Sequence, residues 1–400
     1  MESAFRFGLL GLRCTPPDPS LMDDIRGSAK SIFSVASLYT SKMTKKPMRR
    51  NWKLILNIVT LVALAVLIYA TRGQLADTLK NLAKVHASLL LLLIPVELLN
   101  YHAQAKLYQG LFRLVGNDLP YKFLYKTSVE LNFVNHVFPS GGVTGISYFG
   151  LRLRNGEAIT GGKATLIQVM KLALTFLSFE VLILFGILCL AVAGRVNNLT
   201  ILVASSLSTL LLVGTVGFVF IVGSKQRINA FFTAVTLAIN RVIQIVRPKH
   251  PETINIEKAK ATFNDFHDNY QQLKNSWRQL RGPFWWAFLA NLTEVLAVYV
   301  VYIAFGKLIN FGAVILAYAI ANFAGLVSVL PGGVGVYEGL MTAVLASTGV
   351  PVGVSLPVTV MYRVLNSLLQ LPPGYYFYQQ NLAARSKAQS ISHEESDATR

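Results

Sequence analysis

Apolar positions in this chain gather into long unbroken windows, with little of the alternation that marks half-buried strands or amphipathic surface helices. Windows near 54–71, 87–104, 164–193, 201–223, 284–305 and 353–378 reach about 20 residues, the length a helix needs to cross a ~30 Å hydrocarbon layer. They predict six full crossings. Two further apolar stretches, 123–150 and 311–348, are interrupted by Pro139-Ser140-Gly141-Gly142 and Pro331-Gly332-Gly333, residues that a continuous helix interior resists. The expected fold is all-α: a polytopic helical membrane protein with about six full spans plus two Gly/Pro-broken re-entrant hairpins.

Composition agrees with that reading and charge orients it. Of 400 residues, 53% are hydrophobic and 14% charged, too little polar surface to cover soluble domains of this size. The 37 Lys and Arg against 19 Asp and Glu give a net charge of +18, which in a soluble protein points to nucleic acid. Their positions exclude that partner: 29 of the 37 fall in 1–53, 105–122, 151–163, 224–282 and 379–400, loops that the positive-inside rule assigns to the cytoplasm. A single crossing by 123–150 would carry 151–163 and 224–282 outside, so that segment is expected to enter and leave on the cytoplasmic side. The same logic makes 311–348 a hairpin from the outer side and both termini cytoplasmic, in a bacterial-type cell membrane. Trp52, Trp277, Trp285 and Trp286 then lie at cytoplasmic span ends, as interfacial anchors do.

The chain divides into a basic extension over 1–50, a transmembrane domain over 51–380 and a polar tail over 381–400. The extension has no signal-peptide pattern and reads as disordered, with a start at Met43 or Met48 as the simple alternative. In 250–282, Ala259, Phe263, Phe266, Tyr270, Leu273, Trp277 and Leu280 recur at helical spacing, which predicts an amphipathic cytoplasmic helix lying on the membrane face or capping the bundle. Cys14 and Cys189 form no disulfide framework.

The two Gly/Pro clusters belong to a longer correspondence. Asn132-Phe133, then Gly141-Gly142-Val143, Gly145 and Tyr148 to Leu151 return about 190 residues later as Asn322-Phe323, Gly332-Gly333-Val334, Gly335 and Tyr337 to Leu340. Lys171 recurs as Arg363. Repeat A spans about 87–193 and repeat B about 284–378, and three crossings between them make the repeat inverted. In transporters, paired discontinuous segments of this kind form a midplane substrate site; matched glycines that serve only close helix packing are the alternative.

Glu97, Glu130, Glu180, Glu294 and Glu338 stand in apolar segments with Lys126, Lys171 and Arg363. Such charges cost roughly 2.5–3.5 kcal/mol each at the bilayer centre, so they are expected to face the interior, pair, or line a wet passage. Lys126 and Glu130, one helical turn apart, are expected to pair with each other, with Lys126 snorkelling to the interface as the alternative. Lys171 and Arg363, with the amides of Gly141, Gly142, Gly332 and Gly333, are the candidates for holding a phosphate. Glu97 and Glu294 are candidates for a cationic group or a proton, and Glu130, Glu180 and Glu338 complete the candidate substrate-binding set. Gly156 to Lys163 departs from a phosphate-binding loop in spacing and places Ala164 where Ser or Thr should bind magnesium. Gly145 to Gly150 is one residue too long for a nucleophile elbow, and the six histidines form no ligand pair. No catalytic residue, metal or cofactor is therefore expected.

Asn132-Phe133, Phe138 to Val143 and Leu330-Pro-Gly-Gly-Val-Gly-Val-Tyr-Glu-Gly339 resemble the lysylphosphatidylglycerol synthase transmembrane-region family over about residues 50–380. In full-length members, the multiple peptide resistance factors, such a region moves aminoacylated phosphatidylglycerol across the bilayer, and a separate cytoplasmic domain makes that lipid. The resemblance implies a flippase-like protein whose partners are membrane lipids: an anionic or aminoacylated phospholipid, or a polyprenyl or other glycolipid. The alternatives are a membrane subunit in aminoacyl-phospholipid synthesis, serving a separately encoded phosphatidylglycerol lysyltransferase, and a small-solute secondary transporter. The loops and tail offer no room for the synthase domain itself, so no enzyme activity is expected of this chain.

Overall fold

The computed structural model describes residues 85–137, 143–156, 159–227, 277–327 and 335–398, with scattered positions in 62–73 and 230–237 and at 270. The chain divides into two units, and all described residues belong to the one formed by 53–239 and 254–400. Every regular element among them is helical: α1 (Ala87–Leu90), α2 (Leu93–Leu114), α3 (Tyr121–Val137), α4 (Val143–Gly156), α5 (Gly161–Val192), α6 (Asn198–Val222), a 3₁₀ turn (Trp277–Leu280), α7 (Arg281–Ala304), α8 (Phe311–Val327), α9 (Val336–Ser347) and α10 (Val352–Ala398). The all-α membrane fold expected from the apolar windows is the fold observed. Four helices among the described residues are long and apolar enough to cross a bilayer, within 161–192, 198–217, 278–304 and 352–384. Large apolar side chains such as Leu184, Leu188, Leu202, Val213 and Val216 are exposed on their outer faces, which water would penalise and lipid accepts.

Helix boundaries differ from the windows in two places. The window 87–104 is broken at Leu91-Leu92, and its second helix runs on to Leu114 through Lys106, Gln109 and Arg113. Helix α10 passes the expected end at 378 and continues through most of the polar tail. The window 54–71 lies outside the described residues except for helical Val62 and Tyr69. Of the expected amphipathic helix, Tyr270, Trp277 and Leu280 are described, the last two in the 3₁₀ turn, and Tyr270 and Leu280 are buried.

The internal correspondence extends to whole elements. Helices α3 and α8 both have 17 residues and start 190 positions apart. Their predecessors α2 and α7 end in the same way, at Gly116 and Gly306, again 190 apart. Each of these glycines has a left-handed φ, and the next residue's N–H reaches back five positions, Asn117 to the Phe112 carbonyl and Lys307 to that of Tyr302, closing the helix. Each Gly/Pro break is flanked by two helices that pack on each other, α3 with α4 and α8 with α9.

The two repeats pack through α2 and α7, which run antiparallel. The Ala304 carbonyl accepts from His86 N–H at 2.9 Å, and farther along Asn100 Nδ2 donates to the Ala290 carbonyl at 2.9 Å. The hairpins are exchanged: α3 packs on α10 of the other repeat, and α8 packs on α5. Close approach makes this possible. A Cβ on Gly374 would overlap Phe133 of α3, and a Cβ on Gly312 of α8 would overlap the Gly186 carbonyl of α5.

Candidate functional site

The apolar interior is two clusters. One gathers the end of α5 with α6 to α9 and the start of α10; the other gathers the end of α2 with α3, α4, the start of α5 and the end of α10. Helices α2, α5, α7 and α10 pass through both, and their polar side chains concentrate where they cross between the clusters. On α2 these are Glu97, Asn100, Tyr101 and Gln104; on α5, Lys171, Thr175 and Ser178; on α7, Asn291, Thr293 and Glu294; on α10, Tyr362, Arg363, Asn366 and Gln370. A polar layer thus lies inside the apolar bundle.

Its middle is a continuous hydrogen-bond chain. Lys171 Nζ donates to Gln104 Oε1 at 3.2 Å, Gln104 Nε2 to Asn100 Oδ1 at 2.6 Å, and Asn100 Nδ2 to Thr293 Oγ1 at 2.9 Å. Asn291 Nδ2 donates to the Thr175 carbonyl at 3.0 Å and to Ser178 Oγ. Buried amides joined in this way fix the helix register, since losing one partner strands the other.

On one side of that chain lie the two acids. The α2–α7 register set by Asn100, Ala290 and Thr293 places Glu97 opposite Glu294, and their carboxylates lie within electrostatic reach of each other. Glu97 is 7% exposed, and its Oε1 has no hydrogen-bond partner. Tyr101 and Gln370 are its polar neighbours. Glu294 accepts from the Tyr362 hydroxyl at 3.0 Å and faces the Tyr318 hydroxyl. Among the described residues no ion pair reaches either acid.

Two other acids are neutralised. Glu338 caps α9 by accepting from Gly335 N–H at 2.7 Å and pairs with Arg363, whose guanidinium stacks 4.8 Å from the Tyr337 ring centre. Glu130 accepts from the Tyr148 hydroxyl at 2.7 Å and pairs with Arg152 Nε at 3.1 Å, and Asn381 donates to both Glu130 and Tyr148. The expected Lys126–Glu130 pair is not formed. Lys126 is exposed with Nζ 5.4 Å from the Phe377 ring centre, and Arg152 takes its place because α4 folds back on α3.

Lys171 and Arg363 engage separate partners: Lys171 sits 4.8 Å from the Tyr108 ring centre beside Gln104, and Arg363 sits at the head of α9. Gly141, Gly142, Gly332 and Gly333 lie outside the described residues. Glu180 is buried with Oε2 unpartnered, and no described hydrogen bond or ion pair joins it to the Glu97–Glu294 pair. The tyrosines around the acids escaped sequence reading because hydropathy counts a tyrosine in an apolar window as apolar. The spacing of Glu97, Tyr101 and Gln104, and of Tyr362, Asn366 and Gln370, is a helical polar stripe that would have found them.

A family model described as the lysylphosphatidylglycerol synthase TM region matches residues 55–374. The chain belongs to that family. The matched region contains repeat A, repeat B as far as residue 374 and every residue of the Glu97–Glu294 site, whereas Asn381 beside Glu130 lies beyond it. The chain is also similar to UPF0104 membrane proteins. With one from Methanothermobacter thermautotrophicus it is 32% identical over 108 residues, 27% of this chain and 32% of the relative. With one from Pyrococcus horikoshii it is 24% identical over 110 residues, 28% and 33% of the two chains. A second Methanothermobacter thermautotrophicus protein is 24% identical over 149 residues, 34% of this chain and 44% of the relative. The chain thus spans between a third and a half of the curated relatives it matches.

Proposed function

We propose that this protein moves the headgroup of a phospholipid or glycolipid across the cytoplasmic membrane while the acyl or polyprenyl chains stay in lipid. The observation that carries the reading is the facing pair Glu97 and Glu294, two acids at the α2–α7 crossing without a basic partner among the described residues. Buried charge of one sign is tolerated when a ligand of the other sign completes it. The pair suits an amine or ammonium group, and the tyrosine hydroxyls of Tyr101, Tyr318 and Tyr362 supply the remaining polar contacts. Lys171, on the opposite side of the Asn100 chain, suits the phosphate of the same headgroup. The exposed apolar flanks of α5 and α6 are where lipid chains would run.

The test is reconstitution. Purified protein in vesicles should speed transbilayer movement of a fluorescent aminophospholipid, read by quencher accessibility. Glu97→Gln with Glu294→Gln removes the charge-assisted contacts, about 1.5–3 kcal/mol each, and should slow movement about tenfold or more. A double variant as fast as the parent defeats the site assignment, and empty-vesicle rates with parent protein defeat the function.

A further inference from the structure

Two carboxylates that face each other inside a protein repel more strongly as the local dielectric falls, unless a cation or a proton lies between them. Glu97 and Glu294 meet that condition. The titratable groups that face them come from the helices packed around them: Tyr101 on α2, Tyr125 on α3, Tyr318 on α8, Tyr337 on α9 and Tyr362 on α10. Arg363 and Glu338 lie beside Tyr337, His136 on α3 lies near Arg363, and α5, packed on α7, carries Lys171 on the other side of the Asn100 chain and Glu180 with no described bond to the pair. The cations among these have other partners. Arg363 is paired with Glu338, Lys171 donates to Gln104, and His136 Nδ1 lies 3.0 Å from the Asn132 carbonyl. Oε1 of Glu97 and the hydroxyl of Tyr101, both more than nine-tenths buried, are left without hydrogen-bond partners beside the second acid.

We propose that the Glu97–Glu294 pair is a proton site whose proton exchanges with the cation of the headgroup. Without cargo the pair shares one proton and carries one negative charge. When an ammonium group enters, the proton leaves to water on that side and both acids are ionised. Two negative charges and one positive leave the site at the same net charge, so the buried net charge is constant through the exchange, and pairing of the ammonium with both carboxylates offsets its desolvation. On the other side a proton enters and the ammonium leaves. Lipid moves one way and a proton the other, so a pH gradient drives transport. The cargo half of this inference rests on the translocase reading; the proton site does not.

The experiment has two arms. Full-length protein in detergent is treated with a hydrophobic carbodiimide, which reacts with protonated carboxyls, and peptides are mapped by mass spectrometry. An adduct is expected at Glu97 or Glu294, falling as pH rises and as an alkylammonium salt is added. Glu97→Gln should reduce the adduct at Glu294 severalfold, and Glu294→Gln, used if the first does not fold, should do the same to the adduct at Glu97, because one acid alone gives up its proton more readily. No adduct at either acid, or one indifferent to pH, overturns the proton site. In the second arm, vesicles carrying the parent protein are given pH gradients of either sign, and net movement of the labelled aminophospholipid should reverse with the gradient. Movement that ignores the gradient overturns coupling while translocation stands. A pH-sensitive adduct without lipid movement supports the proton site and overturns the translocase reading.

Discussion

Glu97 and Glu294 face each other across the two helices that the internal repeat makes equivalent, yet the repeat does not relate them. At the offset of 190 that α2 and α7 keep at their ends, it relates Asn100 to Ala290, the pair bonded at the crossing itself. The counterparts of the acids at the same offset are Ala287 and Gln104. The backbone symmetry is therefore broken by side chains: one side of the crossing is acidic, and the other holds Gln104 and Lys171. An asymmetric headgroup with an amine and a phosphate fits such a layer better than a symmetric ion does.

The Arg363–Glu338 pair should behave as a buried ion pair. Arg363→Ala leaves Glu338, 4% exposed, without its partner and should cost about 3 kcal/mol. Combining it with Glu338→Gln should recover most of that loss. Thermal unfolding in detergent, followed by tryptophan fluorescence, checks both.

The exchanged hairpins depend on backbone contact. Gly374→Ala and Gly312→Ala each insert a methyl where there is no room and should destabilise by about 1–3 kcal/mol. Gly339→Ala, on α9 with open space around it, should instead be neutral or gain about 0.5–1 kcal/mol. The three unfolding midpoints, measured side by side, separate packing from helix propensity.

Asn100→Ala should cost more than an exposed polar deletion, about 1–3 kcal/mol, because it strands Gln104 and Thr293 together. Asn100→Ala in a Gln104→Leu background should cost less, since one stranded partner is gone. A double-mutant cycle of the two positions reads the coupling.

The charge distribution predicts an orientation that is open to direct test. With Cys14 and Cys189 replaced, a cysteine at Ser392 should react with an impermeant maleimide from the cytoplasmic side only, and one at Lys307 from the outside only. Labelling of intact cells against inverted vesicles gives the answer.

The broken helices and the repeat were legible in the sequence because glycine and proline disfavour a helix locally, although α10 runs on through Pro372-Pro373-Gly374, so the surroundings still decide whether such a run ends a helix. The pairing of the acids was not legible. Arg152 sits 22 residues from Glu130 and reads by hydropathy as a loop charge, whereas Lys126 is one turn away and looks like the natural partner. Helix α4 folding back on α3 decides the matter, and no local rule reports it. The facing of Glu97 and Glu294 likewise depends on the register between α2 and α7, which is set by side-chain amides 190 or more residues apart.

The exchange of hairpins also bears on where such a fold begins. With α3 seated on α10 and α8 on α5, neither repeat closes its own bundle, and half of the chain alone would leave two helical faces bare. A half-length polypeptide of this design completes itself only by taking a second copy in the opposite orientation. Glu97 comes from one repeat and Glu294 from the other, so the acidic side of the crossing likewise exists only when both halves are present.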